Sequence, residues 1–340
     1  MLQTSFLVWY ELTMLKMKAI IHTQTEKDTT LEIKNVDLPI PTHDQLLVKV
    51  KAFGLNRADL LQKKGLYPAP SGESPVLGLE IAGEVAQVPP DCPDFKVGDR
   101  VFGLVGGGAY AEFCLLHKKM AIKTPPELSD IEAAAIPEAF MTANETLFQY
   151  GQLKSGESVL IHAAGSGVGT TAIQLAKLAG ATVYTTVGNP SKTKKVLNLG
   201  VDFAFNYLQE DFDTDIAVKL LQKIDLIHDP IGAKYLESHL SLLKERGRLV
   251  IFATMGGKTG TADLSLILQK RLTIKGFVLR RQSLEEKIEV TERFKAHCLP
   301  LIYSNKVRPI IDKVYNWTQI AEAHDYLESR ASFGKVIVYL

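Results

Sequence analysis

Cysteine and net charge are both scarce in this sequence of 340 residues. The three cysteines, Cys92, Cys114 and Cys298, stand far apart and form no Cys-x-x-Cys pair, which excludes a thiolate zinc ribbon and disfavours a disulfide framework. A formal charge of only +1 creates no global field that would attract the chain to nucleic acid or an anionic membrane. We therefore expect no nucleic-acid or membrane partner, and a reducing, cytoplasmic setting.

Long apolar runs are missing as well. The first apolar stretch, residues 5–10, is short, has no basic leader and is followed at once by Glu11. It predicts neither a signal peptide nor a membrane span. Because a strand pattern begins at Lys18, we predict that residues 1–16 are an extension outside the fold, and that Met17 is an alternative start.

Length and a 46% apolar composition predict a globular protein of two domains. Up to about Pro126 short strands alternate with turns, whereas after Pro137 six apolar runs alternate with segments of helical period. Strand alternating with helix predicts an α/β domain with a doubly wound parallel sheet. The tail from Glu285 is too short to fold alone. We therefore predict a discontinuous, mostly β domain of residues 17–138 and 282–340, into which a dinucleotide-binding domain of residues 139–281 is inserted.

A glycine-rich loop carries the clearest functional signal. The apolar strand at Val159 runs into Ser166, Gly167, Val168 and Gly169 and then directly into an amphipathic helix. Glycines at such a turn let a pyrophosphate approach the backbone amides and the positive end of the helix dipole. The strict G-x-G-x-x-G string is absent, because alanine and serine occupy two of its positions. An ordinary tight turn is the alternative.

The end of the second parallel strand favours NADP over NAD. A site for NAD would carry an acidic residue there to bind the ribose 2′-hydroxyl, but no acid occurs before Asp202. Gly188 is followed instead by a basic helix start that contains Lys192. We predict that Lys192 contacts a 2′-phosphate; a solvated basic helix face is the alternative.

Six motifs together resemble the medium-chain dehydrogenase/reductase superfamily and, within it, the zinc-free quinone oxidoreductases of the tumour-suppressor-inducible, NADPH-dependent branch. The motifs are GLNRAD (54–59), GLYP (65–68), GLEIAG (78–83), VGDRV (97–101), AAAIPE (133–138) and AGSGVG (164–169). The resemblance spans most of the chain from Met17 onwards. It implies a Rossmann-like domain inserted into a GroES-like catalytic domain, with hydride transfer from NADPH to a quinone or an enone.

The resemblance also argues against zinc. Zinc-dependent members have cysteine where Asn56 stands, histidine where Leu79 stands, and a further thiolate or carboxylate near Glu138. Asparagine and leucine cannot replace a thiolate and an imidazole. The segment around Cys92 has one cysteine where a structural zinc needs four. His117, His162 and His228 are expected to be packed or surface residues.

Without a Lewis acid, reduction of an electron-poor acceptor is the easier chemistry.

Asn56 is the first catalytic candidate, as a hydrogen-bond donor to the acceptor oxygen or as a helix N-cap. Tyr67 is the second, as a residue that positions substrate, relays a proton and contacts the cofactor, or as a packing aromatic. Thr142 matches a threonine beside the nicotinamide, with an ordinary helix-start hydroxyl as the alternative. Further cofactor contacts implied by the resemblance are Tyr207, Thr254, Met255, Phe277, Val278, Leu279 and Ser332.

The strand-like segment 271–280 would be an exposed sheet edge, and the resemblance implies a homodimer joined there; an edge guarded by Lys275 and Arg280 is the alternative.

Two other functions remain open. One is reduction of an enone or enoyl thioester, which shares the hydride geometry. The other, from a different class, is a crystallin-like or RNA-binding role for the cofactor site.

Overall fold

The computed structural model describes residues 15–24 and 29–340, which divide into two compact units. The first unit contains the described residues up to Glu138 together with Ile311–Leu340, and the second contains Ala139–Ile310. Within the described residues, no helix combines the length and apolar character needed to cross a membrane.

The first unit is mostly β, because its apolar segments are short and separated by turns. A two-stranded antiparallel ribbon precedes a seven-stranded sheet of order β14-β15-β3-β4-β5-β7, in which β6 also pairs with β3. The strands are β1 (Lys16–Gln24), β2 (Thr29–Asp37), β3 (Gln45–Gly54), β4 (Glu80–Gln87), β5 (Arg100–Leu104), β6 (Phe113–His117), β7 (Ile122–Lys123), β14 (Ile311–Asn316) and β15 (Lys335–Tyr339). The helices are α1 (Arg57–Lys63), α2 (Asp130–Ala134) and α11 (Ile320–Glu328), the last preceded by the 3₁₀ turn Trp317–Gln319.

The second unit contains a six-stranded parallel sheet. Its order, β10-β9-β8-β11-β12-β13, reverses direction between β8 and β11, which is the arrangement of doubly wound dinucleotide-binding sheets. The strands are β8 (Ser158–Ile161), β9 (Thr182–Val187), β10 (Phe203–Asn206), β11 (Ile224–Asp229), β12 (Leu243–Ile251) and β13 (Thr273–Gly276). The four residues of β8 are all buried, as expected for a central parallel strand.

Helices alternate with these strands. They are α3 (Pro137–Asn144), which begins in the first unit, then α4 (Gly167–Leu178), α5 (Pro190–Asn198), α6 (Ala217–Leu220), α7 (Leu236–Leu242), α8 (Leu264–Lys270), α9 (Leu284–His297) and α10 (Leu299–Tyr303). Glu145–Gln149 and Phe212–Ile216 are π-helical, and Ala233–Tyr235 is a 3₁₀ turn. The predicted fold class, a doubly wound parallel sheet inserted into a mostly β domain, is confirmed.

Two boundaries differ from those expected. Strand β1 begins at Lys16 rather than Lys18, and its pairing with β2 starts at Lys16 opposite Asp37; the rest of the predicted extension, residues 1–14, lies outside the described residues. Residues 282–310 group with the second unit, because Arg293 on α9 forms an ion pair with buried Glu145 at 2.8 Å. The predicted domain limits themselves remain a prediction.

Candidate functional site

The carboxyl edge of the parallel sheet gathers nearly all the cofactor residues predicted in the second unit. Each of them except Thr142 follows the carboxyl end of a strand: Ser166, Gly167, Val168 and Gly169 after β8, Gly188 and Lys192 after β9, Tyr207 after β10, Thr254 and Met255 after β12, and Phe277, Val278 and Leu279 after β13. Parallel strands end at one edge, and such folds bind ligands there at the switch point.

The loop after β8 has the geometry of a phosphate-binding turn. Ser166 is the N-cap of α4, and its hydroxyl oxygen accepts a hydrogen bond from the Gly169 amide at 2.9 Å. A Cβ on Gly169 would lie only 2.5 Å from the carbonyl oxygen of Ala163, so the helix can approach the strand this closely only with glycine. The loop therefore presents a helix N-terminus to the sheet edge.

The segment after β9 forms a second cradle. A Cβ on Gly188 would lie 2.5 Å from the hydroxyl oxygen of Tyr207, so these two predicted residues are in contact. Asn189 caps α5 by accepting a hydrogen bond from the Lys192 amide at 2.8 Å. Lys192 is half-buried, whereas Lys194 and Lys195 on the same helix are exposed.

The nearest acidic residue downstream of β9 is held at the opposite end of that strand. Asp202 accepts a hydrogen bond from the Val183 amide at 2.7 Å and forms an ion pair with Lys177 at 2.7 Å. Val183 is the second residue of β9, so the Asp202 carboxylate lies at the amino edge of the sheet, away from the glycine loop. It cannot serve as the ribose-binding acid of an NAD site.

The local structure differs from expectation at two of the predicted contacts, which themselves remain predictions. Thr142 is not at a helix start but near the end of α3, where its carbonyl accepts a hydrogen bond from the Thr146 hydroxyl at 2.6 Å. The strand expected over 271–280 is only Thr273–Gly276, so Phe277, Val278 and Leu279 belong to the loop beyond it. Phe277 and Leu279 are buried and Val278 is 45% exposed.

Asn56 begins α1 in the first unit, as the sequence predicts. Its backbone serves the helix, because the Asn56 amide donates to the carboxylate of Asp59 at 2.8 Å. Its side chain does not cap the helix: Nδ2 donates to Glu80 at 2.8 Å and lies 3.4 Å from the Gly54 carbonyl oxygen. Asn56 thus combines a backbone cap with a side chain directed to Glu80.

A buried ion pair fixes this asparagine. The Lys335 ammonium donates to the Glu80 carboxylate at 2.5 Å, to Oδ1 of Asn56 at 2.8 Å and to the Leu55 carbonyl oxygen at 3.0 Å. Glu80 is 0% exposed and Lys335 4% exposed. Glu80 lies within the GLEIAG motif, but the sequence carries no functional signal for either residue. We refer to Asn56, Glu80 and Lys335 as the buried cluster.

Zinc does not fit the residues at this place. Leu79, which stands where a histidine ligand would, is apolar and 2% exposed. Both polar atoms of the Asn56 side chain are already bonded to the buried cluster. Among the described residues, no group of three or more histidine, cysteine, aspartate or glutamate side chains is arranged to hold a metal ion.

Tyr67 and Ser332 are the other predicted contacts in the first unit. Tyr67 is half-buried in the bend after α1, and Ser332 is 8% exposed in the turn before β15. Beneath α1, the Tyr110 hydroxyl donates to Asp59 at 3.1 Å and lies 3.0 Å from Nε2 of His324. Burial raises the pKa of Asp59 to about 6.

The histidines occupy the packed or surface positions expected of them. His162 and His228 are buried, and His117 is half-buried. The sequence analysis missed Asp229, the last residue of β11, whose carboxylate accepts from the Ile231 amide at 2.6 Å and the Gly232 amide at 3.1 Å. Burial raises its pKa to about 7. The sequence did contain a signal for this residue, because an acidic residue at the end of an apolar strand, just before a Pro-Ile-Gly turn, is a candidate for a buried carboxylate at the sheet edge.

The fold and the edge site together define a dinucleotide-dependent oxidoreductase of two domains. Residues 42–126 match the alcohol dehydrogenase GroES-like domain, and residues 167–295 match the zinc-binding dehydrogenase family. The latter range includes neither Asn56, Leu79 nor Glu138. The chain belongs to the medium-chain dehydrogenase/reductase superfamily.

Curated relatives and solved structures agree with this placement. A quinone oxidoreductase from Lama guanicoe is 33% identical over 313 residues, covering 90% of this chain and 92% of the relative. A synaptic vesicle membrane protein VAT-1 homolog from Danio rerio is 28% identical over 310 residues, or 86% of this chain, which spans only 64% of that relative.

Two solved structures are similar over nearly the whole chain. A mycobacterial protein complexed with NADPH has a TM-score of 0.80 at 27% identity, covering 95% of this chain and 100% of that one. An enoyl reductase has a TM-score of 0.80 at 26% identity, covering 95% and 98%.

Proposed function

We propose that this protein is an NADPH-dependent, zinc-independent oxidoreductase that transfers a hydride to a quinone. The observation that carries the proposal is the buried cluster: an ammonium, a carboxylate and an amide are hydrogen-bonded to one another where zinc-dependent members of the superfamily hold their metal. A site without a Lewis acid favours acceptors that already delocalise the incoming negative charge, and a quinone does so.

The residues at the carboxyl edge of the parallel sheet fit NADPH. The N-terminus of α4 and the close approach at Gly169 suit a pyrophosphate. Half-buried Lys192, four residues after Gly188 on the segment that follows β9, suits a 2′-phosphate, and the first acidic residue after β9, Asp202, is held at the amino edge of the sheet. When bound, NADPH supplies the hydride. Thr142, Thr254, Met255, Ser332 and the loop 277–279 are proposed as further cofactor contacts.

Asn56 and Tyr67 are proposed to act on the acceptor. The second amide hydrogen of Asn56 is weakly engaged, since its contact to the Gly54 carbonyl oxygen is 3.4 Å long, and it is available to a quinone oxygen. Reduction to a hydroquinone consumes one hydride and one proton. We assign the proton relay to the Tyr67 hydroxyl, with solvent as the final proton source.

Reduction of an enone or enoyl thioester is the second candidate, because the structural similarity to an enoyl reductase extends over both units. The two reactions are separated by measuring NADPH oxidation with ortho-quinones, para-quinones, enones and an enoyl thioester, with metal analysis of the same sample. We expect turnover of quinones without stoichiometric zinc. Activity confined to alcohols and dependent on zinc would refute the proposal; activity confined to enoyl thioesters would replace it with the second candidate.

Lys192→Ala tests the cofactor assignment. We expect the KM for NADPH to rise about tenfold, as for the loss of a charge-assisted hydrogen bond, while the KM for NADH stays within twofold. Lys194→Ala is the matched control, because Lys194 is exposed on the same helix. Equal effects of Lys192→Ala on NADPH and NADH would contradict a 2′-phosphate contact.

We also propose a homodimer joined through β13, which is the last strand of the parallel sheet. Ile274 and Val278 are 40% and 45% exposed there. The two residues expected to guard the edge are turned away: Lys275 donates to the Tyr150 carbonyl oxygen at 3.1 Å, and Arg280 is buried. Light scattering should give the mass of a dimer, and Ile274→Glu that of a monomer; a monomeric wild type refutes the interface.

A further inference from the structure

A chain of buried polar side chains runs beneath the carboxyl edge of the second unit. His162 directly follows β8, and its Nδ1 lies 2.8 Å from the Thr186 hydroxyl oxygen on β9. Its Nε2 lies 2.9 Å from Nε2 of His239 on α7. Nδ1 of His239 lies 3.5 Å from the carboxylate of Asp229, the last residue of β11. The chain therefore joins three neighbouring strand ends.

This chain is enclosed by aromatic rings. His162 is 1% exposed, and His239 and Asp229 are fully buried. The rings of Phe212 and Tyr235 lie 5.0 Å and 5.7 Å from the His162 ring. Burial lowers the pKa of both histidines, that of His239 to about 3. Both imidazoles are consequently neutral at physiological pH, and each carries one ring hydrogen.

The contacts select one arrangement of those hydrogens. Burial raises the pKa of Asp229 to about 7, so the acid is ionised above that pH; the ionised form, which accepts from two backbone amides, favours a hydrogen on Nδ1 of His239. Nε2 of His239 must then accept, so Nε2 of His162 donates to it, and Nδ1 of His162 accepts from the Thr186 hydroxyl. In the reverse arrangement a ring lone pair would face the Asp229 carboxylate, which is unfavourable.

Two members of the chain, His162 and Asp229, adjoin loops at the proposed cofactor site. His162 precedes Ala163, whose carbonyl oxygen limits the space beside Gly169. Asp229 fixes the turn that contains Pro230 and Ile231. That turn is bonded to the loop after β12: the Met255 amide donates to the Pro230 carbonyl oxygen at 3.1 Å, and the Gly256 amide to that of Ile231 at 2.8 Å.

We propose that the His162–His239 hydrogen bond is a positioning element for the dinucleotide site, which aligns the glycine loop after β8 with the Thr254–Met255 loop after β12. The inference rests on the proposed function, since it assumes that this edge binds NADPH. His162 and His239 are positioning residues and do not contact the cofactor.

His239→Leu removes both contacts of the His239 ring. We expect the Kd and the KM for NADPH to rise about tenfold, as for the loss of one buried hydrogen bond that aligns the site. The KM for the acceptor and kcat at saturating NADPH should stay within twofold. His239→Gln keeps an amide oxygen near the position of Nε2, so we expect it to restore the NADPH affinity to within about threefold of wild type.

His228→Leu is the matched control. His228 is fully buried on β11, and neither of its ring nitrogens has a hydrogen-bond partner among the described residues. The His228→Leu variant also replaces a buried imidazole by leucine, but it leaves the His162–His239 hydrogen bond intact. Its affinity for NADPH should therefore stay within twofold of wild type. Equal weakening in His239→Leu and His228→Leu would mean general loss of packing and would overturn the inference, as would unchanged binding in His239→Leu.

A spectroscopic readout keeps the inference testable if His239→Leu does not fold. Imidazole ¹⁵N–¹H correlation spectra of the wild-type protein should show a solvent-protected ring hydrogen on Nε2 of His162, and its resonance should shift on titration with NADPH. If NADPH binds but the resonance of this ring hydrogen does not shift, the inference is overturned while the proposed function stands. Failure of the wild type to bind NADPH at all overturns the proposed function, and the inference with it.

Discussion

Replacing Lys335 with methionine should destabilise the first unit by about 3–5 kcal/mol, the usual cost of removing one partner from a buried ion pair. Methionine preserves the length of the apolar stem but removes the three hydrogen bonds of the ammonium. Among the described residues, the fully buried Glu80 carboxylate then keeps the Asn56 side chain and the Glu138 amide as partners. A charge without compensation dominates the expected loss.

The sequence offers a clean probe of this unit. Its two tryptophans are Trp9 and Trp317, and Trp317 belongs to the first unit. In a Trp9→Phe background, urea unfolding followed by tryptophan fluorescence therefore reports on the first unit without signal from the second. The free energy of unfolding of Lys335→Met is compared with that of the parent in the same background.

Lys64→Met is the matched control, because Lys64 forms an exposed ion pair with Glu328 in the same unit. Exposed pairs contribute about 0–1 kcal/mol. Adding Glu80→Leu to Lys335→Met should reveal a coupling of at least about 2 kcal/mol in the double-mutant cycle. If Lys335→Met costs no more than Lys64→Met, the buried cluster does not stabilise the fold and the reasoning fails.

Two further predictions concern the second unit and acid stability. Gly169→Ala places a Cβ 2.5 Å from the Ala163 carbonyl oxygen, and because overpacking costs about 1–3 kcal/mol, calorimetric titration should show NADPH affinity reduced about tenfold. Burial lowers the pKa of three histidines to about 3: His228, His239 and His324. As the pH is lowered, the unfolded chain binds these protons before the folded protein does. The free energy of unfolding therefore decreases once the pH drops below the unfolded pKa of about 6.5, by about 2 kcal/mol per histidine at pH 5. The raised pKa values of Asp59 and Asp229 make these two groups stabilise the folded protein as the pH falls, but they are fewer than the histidines. If unfolding requires as much urea at pH 5 as at pH 7, the prediction is contradicted.

Periodicity predicted the second unit well because its central parallel strand, β8, is buried throughout and helices alternate with the strands along the chain. The six apolar runs correspond to β8–β13, and the glycine loop lies where the strand order reverses. The start of the first helix was equally predictable, since Asn56 was a candidate N-cap and α1 begins at Arg57; Gly65, with a φ of +71°, lies just beyond its end. Both signals are local, within a few residues of the structure they predict.

The buried cluster could not be predicted in the same way. Lys335 and Glu80 are 255 residues apart, and a lysine beside apolar strand residues ordinarily indicates a surface position. His239 gave no signal either, because its partner His162 lies on a different element 77 residues earlier. The segment 282–310 groups with the second compact unit rather than with the first, and the buried carboxylate of Glu145, which forms an ion pair with Arg293 on α9, is likewise invisible to periodicity.

The buried cluster of the first unit and the buried histidines of the second unit affect the proposed reaction in different ways. In the first unit all three ammonium hydrogens of Lys335 are consumed by Leu55, Asn56 and Glu80, so the positive charge is present but has no free donor with which to polarise a substrate. In the second unit the histidines are neutral and add no charge near the edge proposed to bind a phosphorylated cofactor. A protein built in this way fixes geometry rather than supplying electrostatic activation. Under the proposed function the acceptor must itself delocalise the incoming negative charge, and the panel of quinones, enones and an enoyl thioester tests that requirement directly.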